Sequence, residues 1–416
     1  MNRKILASWC LYDFANSFYA VLPAVLWTVY YRERIVGNEQ GLGDLWWGYA
    51  ISGSMLIVAL TSPPMGAIAD YAGVRKRLLM AYTLASVAAT AMFITVEPGM
   101  VVWGLVLTMI SYVGFEGALV FYNSYLPELA PREYQGRVSG WGFGVGYMGS
   151  LLGLMLALGL IRTLPDPLRF DVTWLCIATA FFLFSLPAFF WLPGQQAPQM
   201  SVLQAARGGI SKSWRTFREI LGLRETRRFL LAYLFYEDGV NTVIVTAGAY
   251  ASKTVGFETE ELIILFAVVQ ICALAGAFAW AKPADRLGPK RVVMAMLVQW
   301  SLVVMAAYFV QTKMHFWIVA VLAGTGLGAI QSASRAFMST LVPKGREGDF
   351  FGFYHLCGKS AAILGPLVFG AVSAATGGDQ RTAILSVLVF FVIGAFLLAR
   401  VRAGGPTHQS QPATQV

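Results

Sequence analysis

Six ionisable side chains lie within otherwise apolar stretches, where they could bind protons, pair with one another or hold a charged ligand. They are Asp13, Glu116, Glu237, Asp238, Arg335 and Lys359. Charged residues in apolar helices are costly and are usually functional. Because four acids and two bases cannot all be cheaply ionised at such a depth, we expect some to pair and some to be protonated.

The acids are candidate proton-coupling groups, and each has a structural alternative. In the stretch ASWCLYDFANSFYA, Asp13 and Asn16 are three residues apart and share one helix face. Asp13 could instead hydrogen-bond a neighbouring helix. Glu116 could form a structural bridge to Arg335 or Lys359.

Glu237 and Asp238 are adjacent in sequence, so their side chains point about 100° apart on a helix and we expect only one to face a cleft. We favour Asp238, because Asp13 is its counterpart in the repeat described below. His355 could relay protons, although a histidine beside a tyrosine such as Tyr354 is more often satisfied locally.

The two cations are candidate anchors for an anionic group of a ligand. Arg335 is the stronger candidate, because its planar guanidinium suits a carboxylate or phosphate. Lys359 is the second, and pairing with Asp13 is its alternative. Candidate hydrogen-bonding residues of the same wall, which could equally join helix to helix, are Asn16, Asn123, Asn241, Gln331 and Tyr354, with Tyr122 and Ser334 beside them.

Other chemistries have no motif in the sequence. There is no Walker-type loop ending in Gly-Lys-Ser/Thr, so ATP is not expected to drive the protein directly. The absence of His-x-x-x-His, paired-Asp and Gly-x-Ser-x-Gly motifs argues against an enzyme. The four cysteines lie in separate apolar segments, so we expect free thiols and neither a metal nor a cofactor.

Long apolar segments place these residues within a membrane. The chain of 416 residues is 57% hydrophobic and 13% charged, whereas soluble proteins carry about 25% charged residues. About 20 apolar residues suffice to span a membrane as a helix, and we predict an all-α protein with twelve such helices. They cover residues 5–31, 46–69, 78–96, 100–126, 138–161, 172–192, 229–252, 261–280, 292–310, 316–341, 351–375 and 382–399.

The basic residues are distributed unevenly over the two sides. With both termini inside, 22 of the 31 Lys and Arg residues lie on inner loops and ends, and seven lie outside. This positive-inside pattern predicts cytoplasmic termini and explains the net charge of +9 without nucleic acid. We expect a lipid-embedded, monomeric protein of the bacterial cytoplasmic membrane.

A long basic segment divides the chain into two halves. It could lie on the membrane as an amphipathic helix or be a solvated linker. The predicted parts are an N-terminal six-helix bundle at residues 1–192, a cytoplasmic linker at 193–228, a C-terminal six-helix bundle at 229–402 and a disordered tail at 403–416.

The two halves repeat one another in the same order. YDFAN corresponds to EDGVN, so that Asp13 and Asn16 match Asp238 and Asn241. Further along, GAIADYAGVRKR corresponds to AKPADRLGPKR, FYNSYLP to FMSTLVP, and QGRVSG to EGDFFG. A parallel repeat of six and six helices places a substrate path near the membrane midplane, between the halves.

The first loop motif resembles the major facilitator superfamily pattern Gly-x-x-x-Asp-x-x-Gly-x-Arg/Lys. Its positions are filled by Gly66, Asp70, Gly73 and Arg75, and in the second copy by Asp285, Gly288 and Lys290, with Ala281 in place of the first glycine. WCLYDFANSFYA and SRAFMSTLVPKGREGDFFGFYHLCGKSAAILGP resemble the vacuole-effluxer family of this superfamily, whose fungal members export amino acids during autophagy. The superfamily resemblance covers essentially the whole chain.

This resemblance implies a gating latch at the inner face. Asp70 would accept hydrogen bonds from the N-terminus of the eleventh helix, where the dipole favours an anion, and Arg75 would hold its carboxylate. The alternative is a turn cap with positive-inside charge.

The resemblance also implies a secondary active transporter that works by alternating access. The expected activity is proton-coupled export of a small zwitterionic or anionic solute, such as an amino acid or short peptide. The alternatives are a non-transporting sensor or assembly factor on a transporter fold, and a transporter of lipids or organic anions.

Overall fold

The described part of the chain is built from helices. The structure is a computed structural model that describes residues 2–22, 26–37, 42–166, 168–194, 200–361 and 364–402. The helices of seven or more residues are α1 Arg3–Leu22, α2 Leu42–Tyr71, α3 Arg75–Ala91, α4 Val101–Ser124, α5 Gln135–Thr163, α6 Leu168–Trp191, α7 Val202–Gly222, α8 Arg224–Tyr250, α9 Thr259–Leu287, α10 Pro289–Tyr308, α11 Lys313–Leu341, α12 Glu347–Ser360, α13 Leu364–Ala375, α14 Gln380–Ser386 and α15 Leu388–Ala399.

Two of the predicted segments are not single helices. Residues 351–375 contain the end of α12 and all of α13, and residues 382–399 contain the end of α14 and all of α15, which meet at Val387. Pro366 lies in the first turn of α13, where its missing N–H is tolerated. It would break the hydrogen-bond ladder of one continuous helix.

The central linker contains α7. This helix begins with a capping box formed by Ser201 and Gln204, and Ala205 packs against Ile68 of α2. Contact of α7 with a membrane stays a prediction. The tail at 403–416 lies outside the described residues.

Helix α5 packs closely on two sides because glycines line both. A Cβ at Gly149 would lie 2.3 Å from the carbonyl oxygen of Phe14 in α1. On the other side, a Cβ at Gly140 would lie 2.8 Å from the carbonyl oxygen of Ala277 in α9. Small residues therefore bring backbones of the two halves together along α5.

Each half has its own apolar core. Buried residues from Trp9 to Leu192 form two clusters in the first half, whereas one large cluster runs from Ile220 to Val401. Both described ends of the chain lie at the same end of the helices as α7, and Arg228 there donates to the carbonyl oxygen of Arg400. We call this the basic end.

The outside of the bundle is apolar, as a membrane requires. Leu60, Phe190 and Phe309 are each at least 67% exposed, and ten described helical segments are long and apolar enough to cross a membrane. Helices α1 and α8 are outside this set, since their buried acids and asparagines lower the mean hydropathy. The count of twelve spans therefore stays a prediction.

We expect Gly149→Ala to destabilise the protein by about 1–3 kcal/mol, the usual cost of overpacking. The measurement is the thermal unfolding midpoint in detergent. Gly159→Ala is the matched control on the same helix, because a Cβ there meets no atom within 4 Å. Equal midpoints for the two variants would contradict the close α1–α5 contact.

Candidate functional site

Buried polar residues gather at two levels between the halves. The arginine cluster consists of Arg335, Asp13, Tyr122, Asn123 and Ser139. The lysine cluster consists of Lys359, Glu116, His355 and Glu237. At about 1.5 Å per residue, Arg335 lies roughly 9 Å from the end of α11 and Lys359 roughly 18 Å from the start of α12. The arginine cluster is therefore closer to the basic end.

Arg335 donates hydrogen bonds to three residues of the other half. Its Nη1 donates to Asp13 Oδ2 at 3.3 Å and to Asn123 Oδ1 at 3.2 Å. Its Nε and Nη2 donate to Ser139, at 2.9 Å to Oγ and 2.8 Å to the carbonyl oxygen. Arg335 and Asp13 are both buried, so removing one partner leaves a desolvated charge.

Aromatic rings enclose the guanidinium and the carboxylate. The centre of the Arg335 guanidinium lies 4.0 Å from the Phe143 ring and 4.7 Å from the Trp9 ring. The Tyr122 hydroxyl donates to Asp13 Oδ2 at 2.8 Å. Because cation–π contacts strengthen when water is excluded, the rings stabilise the charge in place of solvent.

One of the alternative pairings proposed from the sequence, Glu116 with Lys359, is present, and two others are not. Arg335 does not pair with Glu116, and Lys359 does not pair with Asp13, because the two clusters lie at different depths. The role of Arg335 as a ligand anchor stays a prediction. It requires the release of Asp13, since the guanidinium is already occupied.

The lysine cluster also joins the two halves. Lys359 Nζ of α12 lies 2.6 Å from Glu116 Oε1 of α4, and His355 Nε2 lies 3.7 Å from Glu116 Oε2. The Lys359 side chain is 26% exposed, whereas that of Glu116 is 8% exposed. Lys359 is thus the accessible partner of the pair.

Glu237, and not Asp238, adjoins the lysine cluster, which corrects our preference for Asp238 as the residue that faces the cleft. Glu237 is buried on α8 one turn after Tyr233. Helix α8 packs against α12 beside Lys359, where a Cβ at Gly358 would lie 2.9 Å from the Tyr233 hydroxyl. Among the described residues its Oε2 atom has no hydrogen-bond partner. Nearby, Tyr147 of α5 donates to Gln331 Oε1 of α11 at 2.5 Å.

Asp238 and Asn241 contact the backbone on either side of the gap between α12 and α13. Asp238 Oδ1 accepts from the Gly365 amide at 2.9 Å, at the N-terminus of α13. Asn241 Nδ2 donates to the carbonyl oxygen of Ala361 at 2.9 Å, just after α12 ends. The repeat therefore places the same residue pair in two different environments, and the proton role of Asp238 stays a prediction.

Two other predicted wall residues are buried. Tyr354 stacks on Tyr233 with ring centroids 4.3 Å apart, inside the core of the second half. Asn16 is 3% exposed, and its Nδ2 has no partner within the described residues.

The contacts expected for the latch are present at the basic end. Asp70 Oδ2 accepts from the Asp349 amide in the first turn of α12 at 2.8 Å, and Asp70 Oδ1 lies 3.1 Å from Arg75. Arg75 also reaches Glu128 at 2.6 Å. Gly66 allows the approach, because a Cβ there would lie 2.1 Å from the Gly348 carbonyl oxygen.

The second copy of the motif makes a parallel contact with a different basic residue. Asp285 at the end of α9 accepts from the Arg137 amide at 2.9 Å, at the start of α5, and also pairs with the Arg137 guanidinium at 3.2 Å. Lys290 instead donates to the carbonyl oxygen of Ala399 at 3.0 Å, after the turn at Gly288. The gating role of Lys290 stays a prediction.

An apolar cavity of about 560 Å³ lies farther from the basic end. Its lining includes Ser150 and Leu154 of α5, Ile244 of α8 and Leu327 of α11. Ser150 and Leu327 are one helical turn beyond the Tyr147–Gln331 hydrogen bond, and Ile244 is two turns beyond Glu237. The cavity therefore lies farther toward the opposite end than the lysine cluster, whose residues do not line it.

Comparison with known proteins decides the family. A sequence profile described as "Vacuole effluxer Atg22 like" matches residues 47–404. An uncharacterized MFS-type transporter of Bacillus subtilis, YxiO, is 34% identical over 97% of this chain and 96% of its own length. The chain belongs to the vacuole-effluxer family. Autophagy-related protein 22-1 of Aspergillus fumigatus is a more distant relative, 22% identical over 86% of this chain and 74% of its own length.

Solved structures confirm the major facilitator fold. The human organic anion transporter MFSD10 superposes with a TM-score of 0.78 at 16% identity, over 95% of this chain and 99% of its own. The proton:xylose symporter XylE superposes with a TM-score of 0.72 at 13% identity, over 95% of this chain and 94% of its own. The protein is an MFS-type transporter and not an enzyme.

Sequence reasoning missed several residues of these contacts. Ser139 and Arg137 lie in QGRVSG, and Glu347 and Asp349 lie in the matching EGDFFG. Both stretches open the helices that the latch aspartates reach. Polar residues at the corresponding positions of two repeats were the available signal.

We expect Arg335→Gln and Asp13→Asn each to lower the free energy of unfolding by about 3–5 kcal/mol, because each leaves a buried charge unpaired. The double variant should recover most of that loss. Denaturant unfolding in detergent measures all three, with Glu97→Gln as an exposed control. Additive losses in the double variant would show that the two residues act independently.

We expect Asp70→Asn to favour opening at the basic end, because a neutral amide binds the helix N-terminus less strongly than a carboxylate. Cys10 is a native reporter near Asp13 and is buried. In a background without the other three cysteines, an impermeant maleimide should label Cys10 several-fold faster in Asp70→Asn than in the parent or in Asp166→Asn. Identical rates would exclude a latch.

Proposed function

We propose that the protein exports a small zwitterionic solute, such as an amino acid or short peptide, by alternating access and in exchange for protons. The observation that carries this proposal is the lysine cluster. It combines the partly exposed ammonium of Lys359 with the buried Glu237 Oε2 atom, which has no hydrogen-bond partner among the described residues. Opposite charges at one depth are suited to the two ends of a zwitterion.

The carboxylate of the solute is the natural second partner for Lys359. Because an ammonium group has three N–H donors, it can bind the solute carboxylate while it stays paired with Glu116, so that neither buried charge loses its partner. The apolar cavity beyond the cluster gives the rest of the solute room.

Closure at the basic end supports alternating access. The Asp70 and Asp285 contacts and the arginine cluster all join one half to the other near that end. In the present conformation the cavity lies on the opposite side of these contacts. Rocking of the halves would break them and expose the clusters to the basic end.

Protons are the proposed coupling ion. The buried acids Asp13, Glu116, Glu237 and Asp238 are the candidate carriers, and no ATP-binding motif is present in the sequence. Export is proposed because the family is described as effluxers, and the bacterial cytoplasmic membrane because the relative YxiO is bacterial.

We expect a mixture of the common amino acids to raise the thermal unfolding midpoint of the purified protein. Saturation at about 100 times the Kd corresponds to about 2.7 kcal/mol. Amines without a carboxylate and acids without an amine should give smaller shifts. The Glu116→Gln/Lys359→Met double variant, which leaves no single charge unpaired, should lose the shift.

Glu97→Gln is the control, because Glu97 is exposed and far from both clusters. A shift with organic acids alone, or a full shift in the double variant, would contradict the assignment of a zwitterion to the lysine cluster.

A further inference from the structure

The buried acids of the protein are almost all compensated. Asp13 pairs with Arg335, Glu116 with Lys359, Asp70 and Glu347 with Arg75, and Asp349 with Arg346. Asp238 accepts from the N-terminus of α13. Among the described residues this leaves Glu237 as the buried acid with neither a cation in contact nor a helix terminus.

The neighbours of Glu237 are already engaged. The ammonium of Lys359 is bonded to Glu116, the Tyr147 hydroxyl donates to Gln331, and the Tyr236 hydroxyl is paired with Ser334. Glu237 is 8% exposed, and its Oε2 atom has no partner in the described structure. A carboxylate in such surroundings needs a proton or a cation.

We propose that Glu237 binds either a proton or the ammonium group of the solute, but never both. This inference rests on the proposed function. It assigns the coupling of proton and solute to the contact between the Glu237 carboxylate and the ammonium group of the solute. When the ammonium binds the carboxylate, the proton leaves Glu237 for solvent. When the ammonium leaves, a proton returns, so the Glu237 carboxylate itself is compensated in both states.

Exclusion of the proton by the solute at Glu237 determines whether the two move in the same or in opposite directions. A group that must release its proton to take the solute cannot carry both in one direction, so the protein exchanges protons for solute. The other titratable groups facing this region are Tyr147 from α5, Tyr233 and Tyr236 from α8, and His355, Tyr354 and Lys359 from α12. Glu116 faces His355 and Lys359 from α4.

The first test measures proton release on binding in weakly buffered detergent solution with an indicator dye. Adding a mixture of the common amino acids to the parent at mildly acidic pH should release about one proton per bound solute, as competition for a single site requires. Glu237→Gln should release none. Glu237→Asp should restore part of the release, which a purely structural role would not predict.

The second test measures affinity against pH. For the parent, solute affinity should fall about tenfold per pH unit on acidification, in the range where Glu237 holds a proton. The same mixture with N-acetylated amino groups should show no such dependence, and Glu97→Gln should match the parent. Glu237→Gln should remove the dependence.

The outcomes separate this inference from the proposed function. Binding with an unchanged proton release in Glu237→Gln would overturn the inference and leave a zwitterion transporter intact. No thermal stabilisation of the parent by the amino-acid mixture would overturn both. Joint uptake of proton and solute by the parent would also overturn mutual exclusion.

Discussion

Compensation of buried charge across the interface between the two halves is the constraint on which the rest of the structure depends. Two cations from the second half, Arg335 and Lys359, pair with acids from the first half. A buried pair contributes little net stability, but breaking it one-sidedly is expensive. Such pairs therefore favour one relative position of the two halves. Separating the halves is costly unless another group replaces the lost partner of each charge.

The contacts of Asp70 and Asp285 apply the same principle with backbone groups. Asp70 reaches the first turn of α12 and Asp285 reaches the start of α5, so each half holds the N-terminus of a helix from the other. The bonded amides and the positive end of the helix dipole compensate the carboxylates. Because glycines such as Gly66 and Gly140 allow close backbone contact at these crossings, the basic end closes without bulky side chains between the halves.

Much of the fold, but less of the site, could be predicted from sequence. Hydropathy, the internal repeat and the loop motif correctly indicated an all-α major facilitator fold, and the contact of Asp70 with the start of α12 followed from the motif. The pairing of Glu116 with Lys359 was one of two alternatives proposed from the sequence, but the sequence did not decide between them. The choice depends on relative helix depth and rotation, which one sequence does not encode locally, so Arg335 pairs with Asp13 and not Glu116. The breaks at Ser360 and Val387 were missed because hydropathy continues across them.

Divergence between the repeated acids explains why one buried acid of the described residues has no cation paired with it. Asp13 binds a cation of the opposite half, whereas its counterpart Asp238 binds backbone within its own half, beside the gap between α12 and α13. The repeat thus supplies a cross-half pair once and not twice. Glu237, one residue before Asp238, has no counterpart acid in the first half, where Tyr12 holds that position. Among the described residues this asymmetry leaves Glu237 without a cationic partner, which is why the proposed exchange of a proton for an ammonium group is assigned to it.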